Sequence, residues 1–162
     1  MIEHGSSSRR PATRSPLETA SQLGYTADMK LWRRKVARAF IYDPEQKLFL
    51  IAKSALPPFD YHLPGGGIGR GELPEQALIR ELKEELNIQP ENILSILELH
   101  QIDTWVLCIP HSATIFFVTI KNPSIKLSWE IKNVKWVRPS ELKDIFPKNV
   151  LGKMFDLSCW KA

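Results

Sequence analysis

Residues 65–88 read GGGIGRGELPEQALIRELKEELNI, which places a glycine-rich loop directly before a helix crowded with carboxylates. On a helix, Glu81, Glu84 and Glu85 fall within an arc of roughly 100°. Like charges at these spacings repel each other weakly. A hard divalent cation reverses that repulsion, because magnesium and manganese prefer oxygen ligands. The stretch therefore indicates a helix whose acidic face binds a metal ion.

The competing interpretation is a solvated helix face, which is what most glutamate-rich helices present. The surrounding pattern argues against it. Five residues separate Gly66 from Glu72, seven more precede Arg80, and Ile88 closes the pattern. Such a spaced set of glycine, acidic and basic positions is rare at average residue frequencies. We therefore favour the metal-binding interpretation.

This pattern resembles the Nudix box of the Nudix hydrolase family, G-x5-E-x7-R-E-U-x-E-E-x-G-U, where U is an aliphatic residue. Every position matches except the last glycine, which is Asn87 here. Asparagine is the residue most tolerated after glycine in the left-handed conformation that often ends a helix. We therefore expect Asn87 to preserve the cap. The resemblance extends over about residues 34–145 and implies an α/β fold, an α/β/α sandwich with a mixed β-sheet.

The resemblance also implies roles for individual residues. The expected ligands of Mg²⁺ (or Mn²⁺) are the carbonyl oxygen of Gly65 and the carboxylates of Glu81, Glu84 and Glu85. The expected catalytic residues are Glu81, Glu84 and Glu130. The expected substrate-binding residues are Tyr61, Gly66, Gly67 and Arg80. Arg80 is also expected to orient the glutamates by charge-assisted hydrogen bonds. Glu72, outside that set, is expected to support the loop.

Several of these assignments stay open at this point. Glu130 precedes Trp136 by six residues, in a segment where some family members place a further metal ligand or general base. A surface loop glutamate is an equally good interpretation of Glu130. Either Glu81 or Glu130 could act as the base. Tyr61 could stack on a nucleobase or pack in the core.

The implied activity is metal-dependent hydrolysis of the pyrophosphate linkage in nucleoside triphosphates or other nucleoside diphosphate derivatives. The downstream markers of two subfamilies are absent, since Asp103 replaces the proline of ADP-ribose hydrolases and Trp105 replaces the tyrosine of dinucleoside polyphosphate hydrolases. Three alternatives remain: a non-catalytic nucleotide-sensing or partner-binding module, an RNA-end pyrophosphohydrolase, and an isomerase acting on isoprenyl diphosphate. The retained glutamates disfavour the first, and the apolar context of Cys108 disfavours the third.

The composition of the chain limits the classes of protein and partner that it fits. The chain has 162 residues, 43% of them apolar, and a formal net charge of +4. That mild excess suits a small anionic nucleotide substrate and is too scattered to predict a nucleic-acid groove. No apolar run is long enough for a membrane span. The two cysteines, Cys108 and Cys159, have no metal-like spacing, so we expect a reduced, cytoplasmic protein.

The chain divides into residues 1–33, an extension expected to be disordered apart from a short helix at residues 15–23, and residues 34–162, the Nudix domain. A hairpin turn is predicted at residues 43–46. The expected helices cover residues 73–86, 139–145 and 149–160. The expected strands cover residues 36–42, 47–53, 93–102, 105–109, 113–120 and 134–137.

Overall fold

The computed structural model describes residues 33–57, 60–106 and 109–146, with the backbone alone at residues 105–106. Two α-helices lie within these ranges: α1 (Pro74–Leu86) and α2 (Leu142–Ile145). The strands of the same ranges are β1 (Arg34–Asp43), β2 (Leu48–Ser54), β3 (Tyr61–His62), β4 (Ile93–Val106), β5 (Ile109–Ile120) and β6 (Ile131–Val137).

The strands form one mixed sheet in the order β3-β2-β1-β5-β4, with β6 paired to β2. β1 and β5 run parallel, and β1 Arg38 lies opposite β5 Ile115. The pairs β1–β2, β2–β3, β2–β6 and β4–β5 are antiparallel. The mixed sheet predicted from the sequence is therefore confirmed.

The sheet has a packed core on each face, because successive side chains of a strand point to opposite sides. On one face, Ala39 and Ile41 of β1 join a cluster with Leu78, Leu82 and Leu86 of α1. On the other face, the alternate strand residues form a second cluster that includes α2; its buried members are Val36, Phe40, Phe49, Ile51, Leu63, Ala113, Ile115, Val137 and Leu142. Helices thus cover both faces, as the α/β/α sandwich requires.

The end of α1 explains why the family glycine is dispensable here. Asn87 has φ 57° and ψ 26°, which is the left-handed conformation. Its N–H donates to the carbonyl of Lys83 at 3.0 Å, and the N–H of Ile88 donates to Leu82 at 3.1 Å. These two bonds satisfy carbonyls that a helix end leaves unpaired. The expected cap at Asn87 is confirmed.

Two local predictions, one of a hairpin turn and one of a strand, had different outcomes. The turn after β1 is confirmed, because one carboxylate oxygen of Asp43 accepts hydrogen bonds from the N–H groups of Glu45 and Gln46 at 2.9 and 3.1 Å. The separate strand expected at residues 105–109 is wrong. Its first residues end β4 and Ile109 begins β5, and these two long strands pair with each other.

Other predictions lie outside the described residues: the N-terminal helix at residues 15–23 and the closing helix at residues 149–160. The boundary between extension and domain stays a prediction, with β1 beginning at Arg34. Among the described residues, neither helix is long and apolar enough to cross a membrane.

Candidate active site

The glycine-rich loop lies along the first half of β1 and hydrogen-bonds to it as an added strand would. Ala39 donates to the carbonyl of Pro64 at 3.0 Å, and Ala37 donates to Gly66 at 2.9 Å. In return, Ile68 donates to a β1 carbonyl at 3.0 Å. The loop is therefore fixed to the central sheet through main-chain groups.

Two positions of this loop require glycine, because atoms of β1 and α1 lie too close to the backbone for a side chain. Gly65 has φ +119°, and a Cβ there would overlap the carbonyl oxygen of Ala37. A Cβ on Gly66 would overlap the carboxylate of Glu81. Glycine has no side chain to cause either overlap, and it tolerates positive φ. The loop backbone thus lies directly against the first of the predicted metal ligands.

Arg80 connects the loop to the glutamates. Its Nε and Nη2 donate to the two carboxylate oxygens of Glu72 at 2.9 and 3.0 Å. Nη2 also donates to the carbonyl of Gly67 at 2.9 Å. Nη1 donates to Glu81 at 2.9 Å and to Glu84 at 3.1 Å. Every guanidinium nitrogen is engaged within the protein, which supports a positioning role, and substrate binding by Arg80 stays a prediction.

The charges of this network stabilise one another. Hydrogen bonds from Arg80, followed by the N–H of Gly69, lower the pKa of Glu72. The same bond to Glu72, followed by the one to Glu81, raises the pKa of Arg80. The side chain of Arg80 is nevertheless 38% exposed, so solvent weakens these attractions.

Glu85 lies on the inner side of the cluster and is 6% exposed. Its Oε2 accepts a hydrogen bond from the N–H of Gly65 at 2.8 Å. Burial raises the pKa of Glu85 to about 7, with smaller increases from the charges of Glu81 and Glu130. The Gly65 bond and the positive charge of Arg38 oppose that shift. A cation bound here would also lower the pKa of Glu85, because its positive charge favours the ionised carboxylate.

Glu130 reaches the site from a distant part of the chain. The preceding loop lies on the end of α1, where Ser128 donates to the carbonyl of Glu85 at 3.0 Å. The carbonyl of Glu130 accepts a hydrogen bond from Ala55 at 2.7 Å. Its side chain is exposed, and its charge contributes to the raised pKa of Glu85. The structure brings Glu130 near the cluster; its role as ligand or base stays a prediction.

Arg38 is a residue of this site that the sequence reasoning missed. Its Nη1 donates to the carbonyl of Leu63 at 3.2 Å and also to the carbonyl of Gly65. Burial lowers the pKa of Arg38, and the charge of Glu85 is the largest opposing effect. One signal was available, since Arg38 is the only charged residue in the predicted strand at residues 36–42.

Tyr61 does not face the glutamate cluster of α1. Its ring packs against the second core cluster, on the face that α1 does not cover. The Nζ of Lys53, its cross-strand partner, is 5.5 Å from the ring centroid. These contacts support core packing, and substrate binding by Tyr61 stays a prediction. The neighbouring His62 has its pKa lowered by burial, and its Nδ1 lies 3.0 Å from the carbonyl oxygen of Leu63.

The donor set fits a hard cation, although the side chains do not yet converge as they would around one. Within the described ranges, no three acidic, histidine or cysteine side chains are already arranged as a metal site. Instead, Arg80 binds oxygens of Glu81 and Glu84, and Gly65 binds Glu85. All the expected donors are oxygens, which are the ligands that magnesium prefers.

The protein is thus an α/β/α sandwich in which carboxylates of one helix lie against a glycine-rich loop. The model of the NUDIX domain matches residues 32–156 of this chain. The chain belongs to the Nudix family.

Individual relatives agree with this assignment. The chain is 34% identical over 98 residues to a bis(5'-nucleosyl)-tetraphosphatase (asymmetrical) of Caenorhabditis elegans, covering 59% of this chain and 69% of that protein. It is 35% identical over 71 residues to an RNA pyrophosphohydrolase of Nitratiruptor sp., covering 42% of this chain and only 45% of that protein. A crystal structure of a C. elegans Ap4A hydrolase binary complex matches with TM-score 0.67 and 29% identity, covering 75% and 91% of the two chains.

Proposed function

We propose that this Nudix protein is a pyrophosphohydrolase that cleaves the pyrophosphate linkage of nucleoside diphosphate-linked compounds in a reaction dependent on Mg²⁺ or Mn²⁺. The observation that carries the proposal is the junction of loop and helix. The main chain at Gly66 lies against the carboxylate of Glu81, and Arg80 joins that carboxylate to Glu84. Family membership supports the reaction class.

Each residue has a distinct task in the proposed reaction. Glu81, Glu84 and Glu85 would hold the cation together with the carbonyl oxygen of Gly65. The cation, when bound, supplies positive charge that offsets the phosphate oxygens and makes water more acidic. Arg80 keeps the carboxylates oriented through the bonds that it already makes.

The chemical step is an attack of water on phosphorus. A carboxylate, either Glu81 or Glu130, accepts a proton from that water as its oxygen bonds to phosphorus. The bond from phosphorus to the bridging oxygen breaks, and the bridging oxygen leaves with its electron pair. The products are a nucleoside monophosphate and the remaining phosphorylated fragment.

The relatives widen the range of substrates to be tested. The missing tyrosine marker disfavoured dinucleoside polyphosphates, yet one relative carries the name bis(5'-nucleosyl)-tetraphosphatase. Triphosphorylated RNA ends are a second candidate substrate, favoured by the relative named RNA pyrophosphohydrolase. The guanidinium of Arg34 lies beside the loop at Gly67, where it could meet an additional phosphate.

The test is hydrolysis by the purified full chain of a panel that includes nucleoside triphosphates, dinucleoside tetraphosphates and triphosphorylated RNA, with and without Mg²⁺. We expect cation-dependent release of a nucleoside monophosphate or of pyrophosphate, separated by chromatography. Glu84→Gln should lower kcat by at least about a hundredfold and leave the circular dichroism spectrum unchanged.

Glu75→Gln is the matched control, since Glu75 is an exposed glutamate in the first turn of the same helix. It should keep the wild-type rate. Equal activity of the Glu84→Gln and wild-type proteins would reject the assignment of the ligands. Binding of a nucleotide without turnover under all conditions would instead favour the non-catalytic sensing module.

A further inference from the structure

Trp129 is a large aromatic residue that the proposed reaction does not use. Its side chain is 75% exposed, the highest value among the exposed large hydrophobic residues of the described chain. Leu56 is 46% exposed. Single exposed apolar side chains are common on protein surfaces, whereas neighbouring ones often mark a binding site. The position of Trp129 therefore needs an explanation from its surroundings.

The pairing of β2 with β6 brings together the two chain segments that carry these residues. The antiparallel register places Ser54 opposite Ile131. One step further along, the N–H of Ala55 donates to the carbonyl of Glu130 at 2.7 Å. Leu56 follows Ala55 and Trp129 precedes Glu130, so each exposed side chain lies one residue away from this bond. Both residues lie beyond the paired strands, Leu56 in a bend and Trp129 in the turn at residues 128–131.

The turn at residues 128–131, in which the N–H of Ile131 donates to the carbonyl of Ser128 at 3.2 Å, places Trp129 next to the glutamate cluster. Its preceding residue, Ser128, donates to the carbonyl of Glu85 on α1 at 3.0 Å, and its following residue is Glu130. Hydrogen bonds on both sides hold this short segment between α1 and the end of β2. The backbone of Trp129 is therefore fixed beside the site where the phosphates would bind.

We propose that Trp129 is a specificity-determining residue whose indole stacks on the nucleobase of the substrate, with Leu56 completing the apolar surface. The proposal rests on the proposed function, which places the phosphates at Glu81, Glu84 and Glu85. A base attached to those phosphates through its ribose needs a flat apolar surface close by. Stacking tolerates every base because each one has a π-face. The predicted preference is therefore for nucleotides in general over diphosphates that lack a base.

The experiment compares Trp129→Ala and Trp129→Phe with wild type on the best nucleotide of the panel. Loss of the ring should raise KM roughly 5- to 100-fold, because one base stack contributes about that much to binding. We expect kcat to stay within about twofold, and Trp129→Phe to restore most of the affinity. Inorganic tripolyphosphate has no base, so its inhibition constant should be the same for all three proteins.

Leu97→Ala is the matched control, because Leu97 is 60% exposed on β4, at the opposite edge of the sheet from β3. It should leave KM unchanged. An unchanged KM in Trp129→Ala would overturn the proposal, and so would equal weakening of nucleotide and tripolyphosphate, which would mean that the loop itself had moved.

The two proposals fail in different ways. A wild-type protein that binds nucleotides by calorimetry without hydrolysing them would reject the hydrolase, and Trp129→Ala should still bind them more weakly. A protein that hydrolyses nucleotides with the same KM in wild type and Trp129→Ala would reject only the stacking role. A protein that neither binds nor hydrolyses any nucleotide would reject both.

Discussion

Two arginines flank the glutamate cluster, and their surroundings differ sharply. Arg80 lies on the outer side, 38% exposed, and its guanidinium binds three carboxylates and one carbonyl. Arg38 lies on the inner side, where its guanidinium donates to the carbonyls of Leu63 and Gly65. The same side chain thus gathers charges on one side of the site and fixes main-chain groups on the other.

From this difference in burial we infer what each arginine contributes to stability and to turnover. Solvent screens the ion pairs of Arg80, so their effect on stability is small, while their effect on the orientation of Glu81 and Glu84 is direct. Burial makes each hydrogen bond of Arg38 costly to lose, because the abandoned carbonyls would have no water to replace it. We therefore expect Arg80 to matter chiefly for turnover and Arg38 chiefly for folding.

The largest expected effect is on the inner side. Arg38→Met should lower the free energy of unfolding by about 2–4 kcal/mol, because it leaves two carbonyls unpaired and removes a positive charge close to Glu85. For a chain of this size each kcal/mol lost lowers Tm by about 2–4 °C. Thermal and urea unfolding of the metal-free protein measure the change.

Arg38→Lys provides the control for charge. Lysine keeps the positive charge and can satisfy one carbonyl, so its loss of stability should be about half as large. If Arg38→Met unfolds at the wild-type temperature, the claim that the inner arginine matters chiefly for folding is wrong.

The second effect concerns the pH dependence of stability on the same inner side. The folded pKa of Glu85 is about 7, above its ordinary value of 4.5. Between these values the folded protein holds a proton that the unfolded chain has lost, so stability should fall as pH rises from about 5 to 7.5. The contribution is on the order of 2–3 kcal/mol, because each pKa unit corresponds to about 1.4 kcal/mol.

Glu85→Gln isolates this contribution, since glutamine can still accept the hydrogen bond from Gly65 and does not titrate. The variant should lose the decline in stability over this pH range, measured by urea unfolding without metal. His62 opposes the trend, because its lowered pKa favours folding at higher pH, but it is present in both proteins. Parallel pH curves for wild type and variant would contradict the assignment to Glu85.

The parts of the fold that local signals specify were predictable. The turn at residues 43–46 follows from Asp43, whose carboxylate accepts the turn N–H groups, and the end of α1 follows from the tolerance of Asn87 for positive φ. The strands β4 and β5 were misjudged because polar residues such as Asp103 interrupt the apolar runs. Asp103 faces solvent within β4 and pairs with Ser112, so polarity there marks an exposed position and not a break.

The site likewise contains residues that local spacing predicts and residues that it does not. The box residues lie within a single loop and helix, so their spacing alone indicates their arrangement. Arg38 reaches Gly65 from 27 positions earlier in the chain. Glu130 approaches Glu85 only because β6 pairs with β2 and the intervening loop lies on α1. Strand pairing of this kind is set by tertiary packing, which residue spacing does not record.

The third prediction concerns Arg80, on the outer side of the cluster. Arg80→Lys should lower kcat by about tenfold to a hundredfold, because an ammonium cannot bridge Glu72, Glu81 and Glu84 as the planar guanidinium does. Its free energy of unfolding should change by less than about 1 kcal/mol. Steady-state kinetics and urea unfolding on one protein sample test both statements, and a loss of stability as large as that of Arg38→Met would remove the distinction between the two sides.

The smallest effect should come from Glu72→Gln, at the loop end of the network. Glu72 accepts two bonds from Arg80 and one from Gly69, and solvent reaches the pair through Arg80, which is 38% exposed. We expect a slightly lower Tm at low salt and no difference at about 1 M salt, where charges are screened over about 3 Å. Turnover should fall less than in Arg80→Lys, since Arg80 keeps its bonds to Glu81 and Glu84. A difference in Tm that persists undiminished in high salt would mean that Glu72 acts through its neutral hydrogen bonds to the loop, and the outer side would then resemble the inner one.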